Sequence, residues 1–433
     1  PSLSPGQSLA NCPAPAPPAQ AGGRRRPSWW GLVLLTLPWF AAAQPAASLD
    51  RLDEYLQRTT DEAGYLGVVA DVWQKDAQVY HRAMGEADLQ GTPLREDAIF
   101  RIYSMTKPIT SVAALMLVEE GRLRLDDPVA RYLPGFAGLQ RVAGGDEAEP
   151  QLMAVHRPLT VRHLLTHTAG FATGGDDIRV ASVLLQQQAP EDAEDLADYA
   201  RRVARAPLAD EPGTRFRYDG VNSEVLARVI EVAGGAPFDV FLQSRIFAPL
   251  GMRDTGFQVP ASQRGRIMAL TTRNAEGHRV LADTPSAREP GIPLRAYRSG
   301  AGGLYSTAAD YLRFARMLAN GGELDGIRLL QPSTVDQMMQ DQLVRFDPPV
   351  AYPEAGEGFG LGGYVVTDTA KTTRPGSQGQ FGWSGAASTW FTIDRSRRLV
   401  IVLMSQHLPT DGTPALPKIA APFYRQVYST VSP

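Results

Sequence analysis

Ser104-Met105-Thr106-Lys107 sets a hydroxyl and an amine three residues apart. On a helix such positions share a face, so the two groups can meet. A serine hydroxyl is a weak nucleophile and needs a base beside it. Lysine serves as that base only when burial or a second positive group displaces its proton. Lys107 is one of four lysines, with Lys75, Lys371 and Lys418, in a chain that otherwise uses 39 arginines. Arginine keeps its proton in a protein, whereas lysine can give it up. The motif alone says little. With 22 serines and four lysines in 433 residues, a Ser-x-x-Lys match is expected by chance about 0.2 times. Its setting says more: the extended segment Ile99–Tyr103 runs into Ser104, and a helix with Ile109, Val112, Leu115, Met116 and Val118 on one face follows. The N-terminus of that helix brings partial positive charge beside the hydroxyl, suited to a developing oxyanion.

Two further elements could complete a site. Pro212-Gly213-Thr214-Arg215-Phe216-Arg217-Tyr218 is followed by Asp219-Gly220-Val221-Asn222. A tyrosine facing a lysine can shuttle a proton, because a cation beside a phenol eases its ionisation. Taken alone, Tyr218 reads first as an ordinary half-buried aromatic. Gly382-Trp383-Ser384-Gly385-Ala386-Ala387 reads as a strand of small residues, where backbone can approach a ligand closely.

These three elements, in this order, resemble the serine β-lactamase and penicillin-binding-protein superfamily, in particular its class C-like branch with the related carboxylesterases. Connecting stretches resemble it too: Leu159-Thr160-Val161-Arg162-His163-Leu164-Leu165-Thr166-His167-Thr168-Ala169-Gly170-Phe171, Pro249-Leu250-Gly251-Met252 and Gly300-Ala301-Gly302-Gly303-Leu304-Tyr305-Ser306-Thr307. The likeness runs from about Leu49 to the C-terminus. It implies that Ser104 is the acylated nucleophile and Lys107 its base. It implies that Tyr218 moves protons to and from the leaving group or water, and that the backbone amides of Ser104 and Ala386 form the oxyanion hole. Gly220, Trp383, Ser384 and Gly385 are the implied substrate contacts, and neither metal nor organic cofactor is needed. Two departures matter. The family usually has asparagine where this chain has Gly220, and Trp383-Ser384-Gly385 stands where β-lactamases have Lys-Thr-Gly. That asparagine and lysine help hold the amide and carboxylate of β-lactams, so their absence favours a carboxylesterase acting on small acyl esters. A β-lactamase, a D-amino-acid peptidase or transpeptidase-like enzyme, and a non-catalytic module of the same fold are the alternatives.

The elements that must position these residues are readable from periodicity. Leu49, Leu52, Tyr55 and Leu56 begin an amphipathic helix; Val68–Trp73 and Gln78–Met84 form a hairpin. Residues 125–295 read as mostly helical patches, among them Val161–Thr166, Asp195–Arg205 and Asn222–Ala233. Tyr305–Asn320 is a further helix. Strands return at Gly362–Thr367, Gly382–Ala387, Thr389–Ile393 and Leu399–Ser405, before a terminal helix over Pro417–Tyr428. The fold expected is α/β of the α+β kind: an antiparallel sheet flanked by helices, built from about 49–124 and 296–433, with the helical part inserted.

Other signals carry less. His163 and His167 have the spacing of a helical zinc pair, but Leu164 stands where His-Glu-x-x-His has its glutamate. Gly382–Ala386 faintly resembles a nucleophile elbow, yet only His407 follows it and the alternation of strands and helices is wrong. Arg295 and Arg298 could hold a substrate carboxylate or simply face solvent. A net charge of −3 gives no reason to expect nucleic acid or an anionic membrane as partner; the partner expected is a small-molecule acyl substrate. The single cysteine, Cys12, excludes disulfides. Arg24–Arg26, the apolar run Trp29–Phe40 and Ala41–Ala43 have the order of a secretory signal peptide, too short and too broken by Pro38 for a comfortable span. A periplasmic protein without stable membrane insertion is expected, with residues 1–43 as leader. The first methionine is Met84, so residue 1 is not an ordinary translation start.

Overall fold

Apolar alternation at both ends of the chain meets in one sheet. The computed structural model describes residues 46–410, 413 and 415–431; the secretory signal over Arg24–Ala43 lies outside them. The sheet strands are β1 (Gly67–Gln74), β2 (Ala77–Gly85), β3 (Glu357–Phe359), β4 (Tyr364–Val366), β5 (Phe381–Gly385), β6 (Thr389–Asp394) and β7 (Leu399–Met404). The helices that bear on the site are α1 (Ala46–Asp61), α2 (Thr106–Glu119), α3 (Val161–Leu165), α4 (Gly220–Gly234), α5 (Ala308–Ala319) and α6 (Ala420–Thr430).

The seven strands run in the order β3-β4-β5-β6-β7-β1-β2, and every neighbouring pair is antiparallel. Pairing of β1 with β7, from Val69 opposite Met404 to Gln74 opposite Leu399, joins the two ends of the chain. Side chains alternate between faces along a strand. Val68, Ala70, Val72, Ile401 and Leu403 therefore meet Leu52 and Leu56 of α1 and Phe423 and Val427 of α6. Val69, Val400, Val402 and Met404 point the other way, into the core that α2, α4 and α5 share. β7 is buried on both faces, and its sequence Leu-Val-Ile-Val-Leu-Met holds no polar residue. Each such side chain stabilises the fold by roughly 1.5–3 kcal/mol.

α2 is buried from Thr106 through Leu117. A helix covered all round must be apolar all round, and Lys107 is the one ionisable side chain in that buried run.

The structure departs from the periodicity reading in three places. The region from 125 to 295 also contains two hairpins, Gln140–Gly145 with Pro150–Ala154 and Thr271–Arg273 with Arg279–Leu281. Both strands of the first are largely exposed, so nothing forces apolar residues to alternate along them. Tyr305–Ser306 pairs as strand with Phe100–Arg101, and the helix expected from Tyr305 begins at Ala308, where Thr307 caps it by accepting from the Asp310 amide at 3.1 Å. Ser104 itself sits in a tight 3-10 turn, Tyr103–Met105, that leads into α2. Among the described residues, no helix is long and apolar enough to cross a membrane.

Candidate active site

The segment that delivers Ser104 is held from two sides. Arg101 is fully buried, and its guanidinium donates to the Met268 carbonyl at 3.1 Å and to Gln406 Oε1 at 3.3 Å. The Gln406 amide closes the clasp: its Oε1 accepts from the Arg101 backbone N–H at 3.0 Å and its Nε2 donates to the Arg101 carbonyl at 3.1 Å. Ile102 then bonds through its N–H to the Leu304 carbonyl at 3.0 Å. Tyr103 turns the chain with φ of 41°. Left-handed backbone is costly for a non-glycine residue, and such residues gather at functional sites. The turn lifts Ser104 into a cavity of about 440 Å³.

Lys107 follows three residues on. Ser104 sits in the 3-10 turn and Lys107 in the first turn of α2, and positions three apart still share a face across that junction. The ammonium donates to Ser104 Oγ at 3.2 Å and to the Ala301 carbonyl at 2.8 Å. It lies 4.9 Å from the centroid of the Tyr218 ring, and Lys107 is 4 % exposed. The lysine is thus desolvated and aimed, as a base for a hydroxyl has to be.

Tyr218 is reached by the loop before α4. Its phenol oxygen accepts from Trp383 Nε1 at 3.2 Å, and its ring lies 5.0 Å from the indole and 4.8 Å from the imidazole of His167. His167 is buried, with its Nδ1 accepting from the Asp219 amide at 3.3 Å. Burial first, and the Lys107 charge second, push its pKa well below the ordinary value. It is a neutral wall behind the tyrosine. His163 is spent elsewhere: its Nδ1 accepts from the Thr160 amide in the cap of α3, its ring stacks on Phe346, and burial lowers its pKa to about 4. Among the described residues, no group of three or more His, Cys, Asp or Glu side chains could hold a metal.

Ala386 lines the cavity with Ser104, Lys107, Tyr218 and Gly220. It gets there because β5 ends hard against the nucleophile segment. A Cβ on Gly385 would lie 2.3 Å from the Ile102 carbonyl oxygen, so only glycine allows that approach. Backbone amides at Ser104 and Ala386 on one wall can receive negative charge on a carbonyl oxygen between them. A Cβ on Gly220 would meet only Ala301 Cβ, at 3.7 Å.

Trp383, Ser384 and Gly385 do not border this cavity. With Ala386 they line a neighbouring one of about 520 Å³ that runs to Tyr364, Trp390 and Tyr424. Trp383 takes part in the site through its bond to Tyr218. Ser384 lies inside β5, paired with Trp390, and no strand-to-helix elbow is present there. Arg295 borders the Ser104 cavity but is paired with Glu191 at 3.1 Å, and Arg298 is bonded to Asp239 at 3.0 Å. A larger cavity, about 810 Å³ between Asp239, Arg253 and Gln263, is lined by Arg298 and Asp239 but by neither Ser104, Lys107 nor Tyr218.

Sequence reasoning missed the residues that hold the lysine. Ala301 supplies its carbonyl, and Glu224 on α4 borders the same cavity. Glu224 carried one legible signal: it follows Gly220 by four residues, on the same face of the helix.

The Beta-lactamase family model matches residues 52–421. Protein Rv1367c of Mycobacterium tuberculosis is 36 % identical over 399 residues, covering 86 % of this chain and 96 % of that protein. Esterase EstB of Burkholderia gladioli is 34 % identical over 386 residues, covering 83 % and 91 %. Among solved structures, EstCE1, a hydrolase with promiscuous acyltransferase activity, superposes with a TM-score of 0.69 at 25 % identity, covering 89 % of this chain and 98 % of that one.

Proposed function

The chain belongs to the beta-lactamase family and is a serine hydrolase, and from that premise we propose that it hydrolyses small acyl esters through an acyl-enzyme on Ser104. The observation that carries the reading is the buried Lys107 ammonium held at 3.2 Å from Ser104 Oγ by the Ala301 carbonyl. Lys107 Nζ takes the hydroxyl proton while Oγ bonds the acyl carbon. The backbone N–H groups of Ser104 and Ala386 receive the oxyanion. As the tetrahedral adduct collapses, the ester C–O bond breaks and Tyr218 protonates the leaving oxygen, regaining its proton from Lys107. Water then enters by the reverse route and releases the acid.

Esters are favoured over β-lactams by the residues at two positions. An indole at 383, bonded to the phenol, offers no cation to a substrate carboxylate, and Gly220 offers no side-chain amide. Arg295, the nearest alternative cation in the cavity, is already paired with Glu191. The similarity to EstCE1 supports a second reading in which an alcohol replaces water in the last step. Export to the periplasm, read from Arg24–Ala43, belongs to the same proposal.

The test is hydrolysis of p-nitrophenyl butyrate by wild type and by Ser104→Ala, with nitrocefin and an added alcohol acceptor as parallel arms. Ester turnover is expected to fall by about three orders of magnitude or more in the variant. Undiminished turnover would overturn the assignment of the nucleophile; a nitrocefin rate above the ester rate would overturn the substrate class. A fluorophosphonate that fails to label Ser104 would leave the fold as a binding module.

A further inference from the structure

Glu224 lies on the inward face of α4 among Val221, Val225 and Leu226, and is 4 % exposed. A carboxylate placed there is costly unless its oxygens are bonded. Both are. Ser299 Oγ donates to Oε1, and the Gly300 N–H donates to Oε2 at 2.8 Å. The Ser299 hydroxyl in turn accepts from the Gly302 N–H at 3.0 Å, which turns its own proton toward Glu224. Two donors on two oxygens is the pattern of an ionised carboxylate.

Between those two anchored residues and Gly302 stands Ala301, whose carbonyl holds Lys107 at 2.8 Å. The turn is pressed onto α4: a Cβ on Gly300 would lie 2.7 Å from both Ala227 Cβ and the Ser223 carbonyl oxygen. Thr110 of α2 fixes its far side, donating to the Gly300 carbonyl at 2.8 Å. A continuous path therefore runs from α4 through Glu224 and the turn to Lys107 and Ser104.

We propose that Glu224 is a positioning residue for the nucleophile: its carboxylate locks the Ser299–Ala301 turn that places Lys107 against Ser104, and sets a negative charge behind that ammonium. The proposal rests on Ser104 being the acylated residue. The groups that face Glu224 are Lys107 from α2, Tyr199 from the helix Leu196–Val203, Glu191 from the turn Pro190–Asp192, and Tyr297 beside Ser299. Burial holds both tyrosines in their neutral form, and Arg295 answers Glu191. Lys107 is thus the cation that Glu224 serves. A neutral or apolar contact would hold a turn at smaller cost than a buried charge does, so the charge points to the lysine. Burial raises the Glu224 pKa to about 7.

Phosphonylation of Ser104 by a fluorophosphonate reads nucleophile activation without a chosen substrate. Its second-order rate constant is followed from about pH 5 to 9 on the full chain for wild type, Glu224→Gln and Glu224→Leu. Gln keeps the size and the Ser299 bond but cannot ionise, so the ratio of its rate to that of wild type is expected to change by about tenfold as wild type takes on its charge through pH about 7. Leu removes the anchor as well, and the plateau rate is expected to fall about tenfold or more. A Gln profile that superimposes on wild type overturns the proposal, as does a folded Leu variant with the wild-type rate. If thermal melting finds the Leu variant unfolded, the Gln profile decides alone. Wild type that takes no label removes the nucleophile reading itself, whereas labelled wild type with an unmoved Gln profile removes only the role of Glu224.

Discussion

The indole Nε1 of Trp383 donates to the phenol oxygen of Tyr218 at 3.2 Å, across 165 residues of sequence. The bond occupies a lone pair of the phenol and leaves its proton free to face the cavity, which suits a group that protonates a leaving oxygen. Trp383→Phe keeps the ring contact and removes the donor. Tyr218 is 43 % exposed, so the bond is partly solvated. The expected result is a fall in kcat for p-nitrophenyl butyrate of about fivefold to tenfold, near 1 kcal/mol, with KM and melting temperature little changed. Equal kcat in the two proteins would show that the indole only fills space.

Lys107 donates to two oxygens, neither of them a carboxylate. Its charge is therefore not needed to neutralise a bonded partner, and replacing it tests chemistry apart from stability. Lys107→Met is expected to lose kcat by about three orders of magnitude or more. At mildly acidic pH, where Glu224 is protonated, its melting temperature should equal or exceed that of wild type, because a buried charge has been removed. Lys107→Arg should be as inactive, since a guanidinium does not give up its proton. Activity surviving in either variant would move the base elsewhere.

How much of this was legible in sequence follows from range. Ser104 and Lys107 are neighbours on one turn, so their meeting could be read from spacing alone. The sheet could be read because β1 and β7 must be apolar to lie in a core. Tyr218 and Ala386 came from the resemblance, since nothing in the chain says that positions 114 and 282 residues further on approach Ser104. Trp383, Ser384 and Gly385 were expected at the substrate as a block, yet β5 carries them past the cavity and leaves Ala386 on its wall. The contacts that hold Lys107 lie in the same class. The carbonyl of Ala301 has no sequence signature, because every residue has one. The exposed hairpin Gln140–Ala154 escaped for the opposite reason: with little buried against it, its composition is unconstrained.

Gly385 gives a prediction about geometry. A methyl group there would meet the Ile102 carbonyl oxygen and Thr389 Oγ1, each at 2.3 Å, and the first of these is backbone of the segment that delivers Ser104. The chain must part β5 from that segment to admit it. Gly385→Ala is expected to destabilise the fold by about 1–3 kcal/mol and to slow phosphonylation of Ser104, because the wall holding Ala386 moves. Calorimetric melting and the labelling rate check the two halves. Wild-type values for both would mean that β5 can yield without disturbing the site.

Glu224 makes a prediction about stability that is independent of its effect on rate. Burial raises its pKa from 4.5 in the unfolded chain to about 7 in the folded one. Between those values the folded protein holds a proton that the unfolded chain has lost, so stability falls as pH rises through the window. The contribution is complete below about 4.5, gone above about 7, and of the order of 3 kcal/mol. Glutamine cannot titrate. The melting temperature of Glu224→Gln minus that of wild type should therefore rise from pH 4.5 to 8, whatever fixed cost the lost Gly300 bond adds. The buried histidines act in the opposite direction, since the lowered pKa values of His163, His167 and His407 cost stability as pH falls below about 6.5. They are common to both proteins and cancel in the difference. A difference that stays flat across the window would mean that residue 224 titrates alike in the folded and unfolded chains, so that burial holds no proton on it.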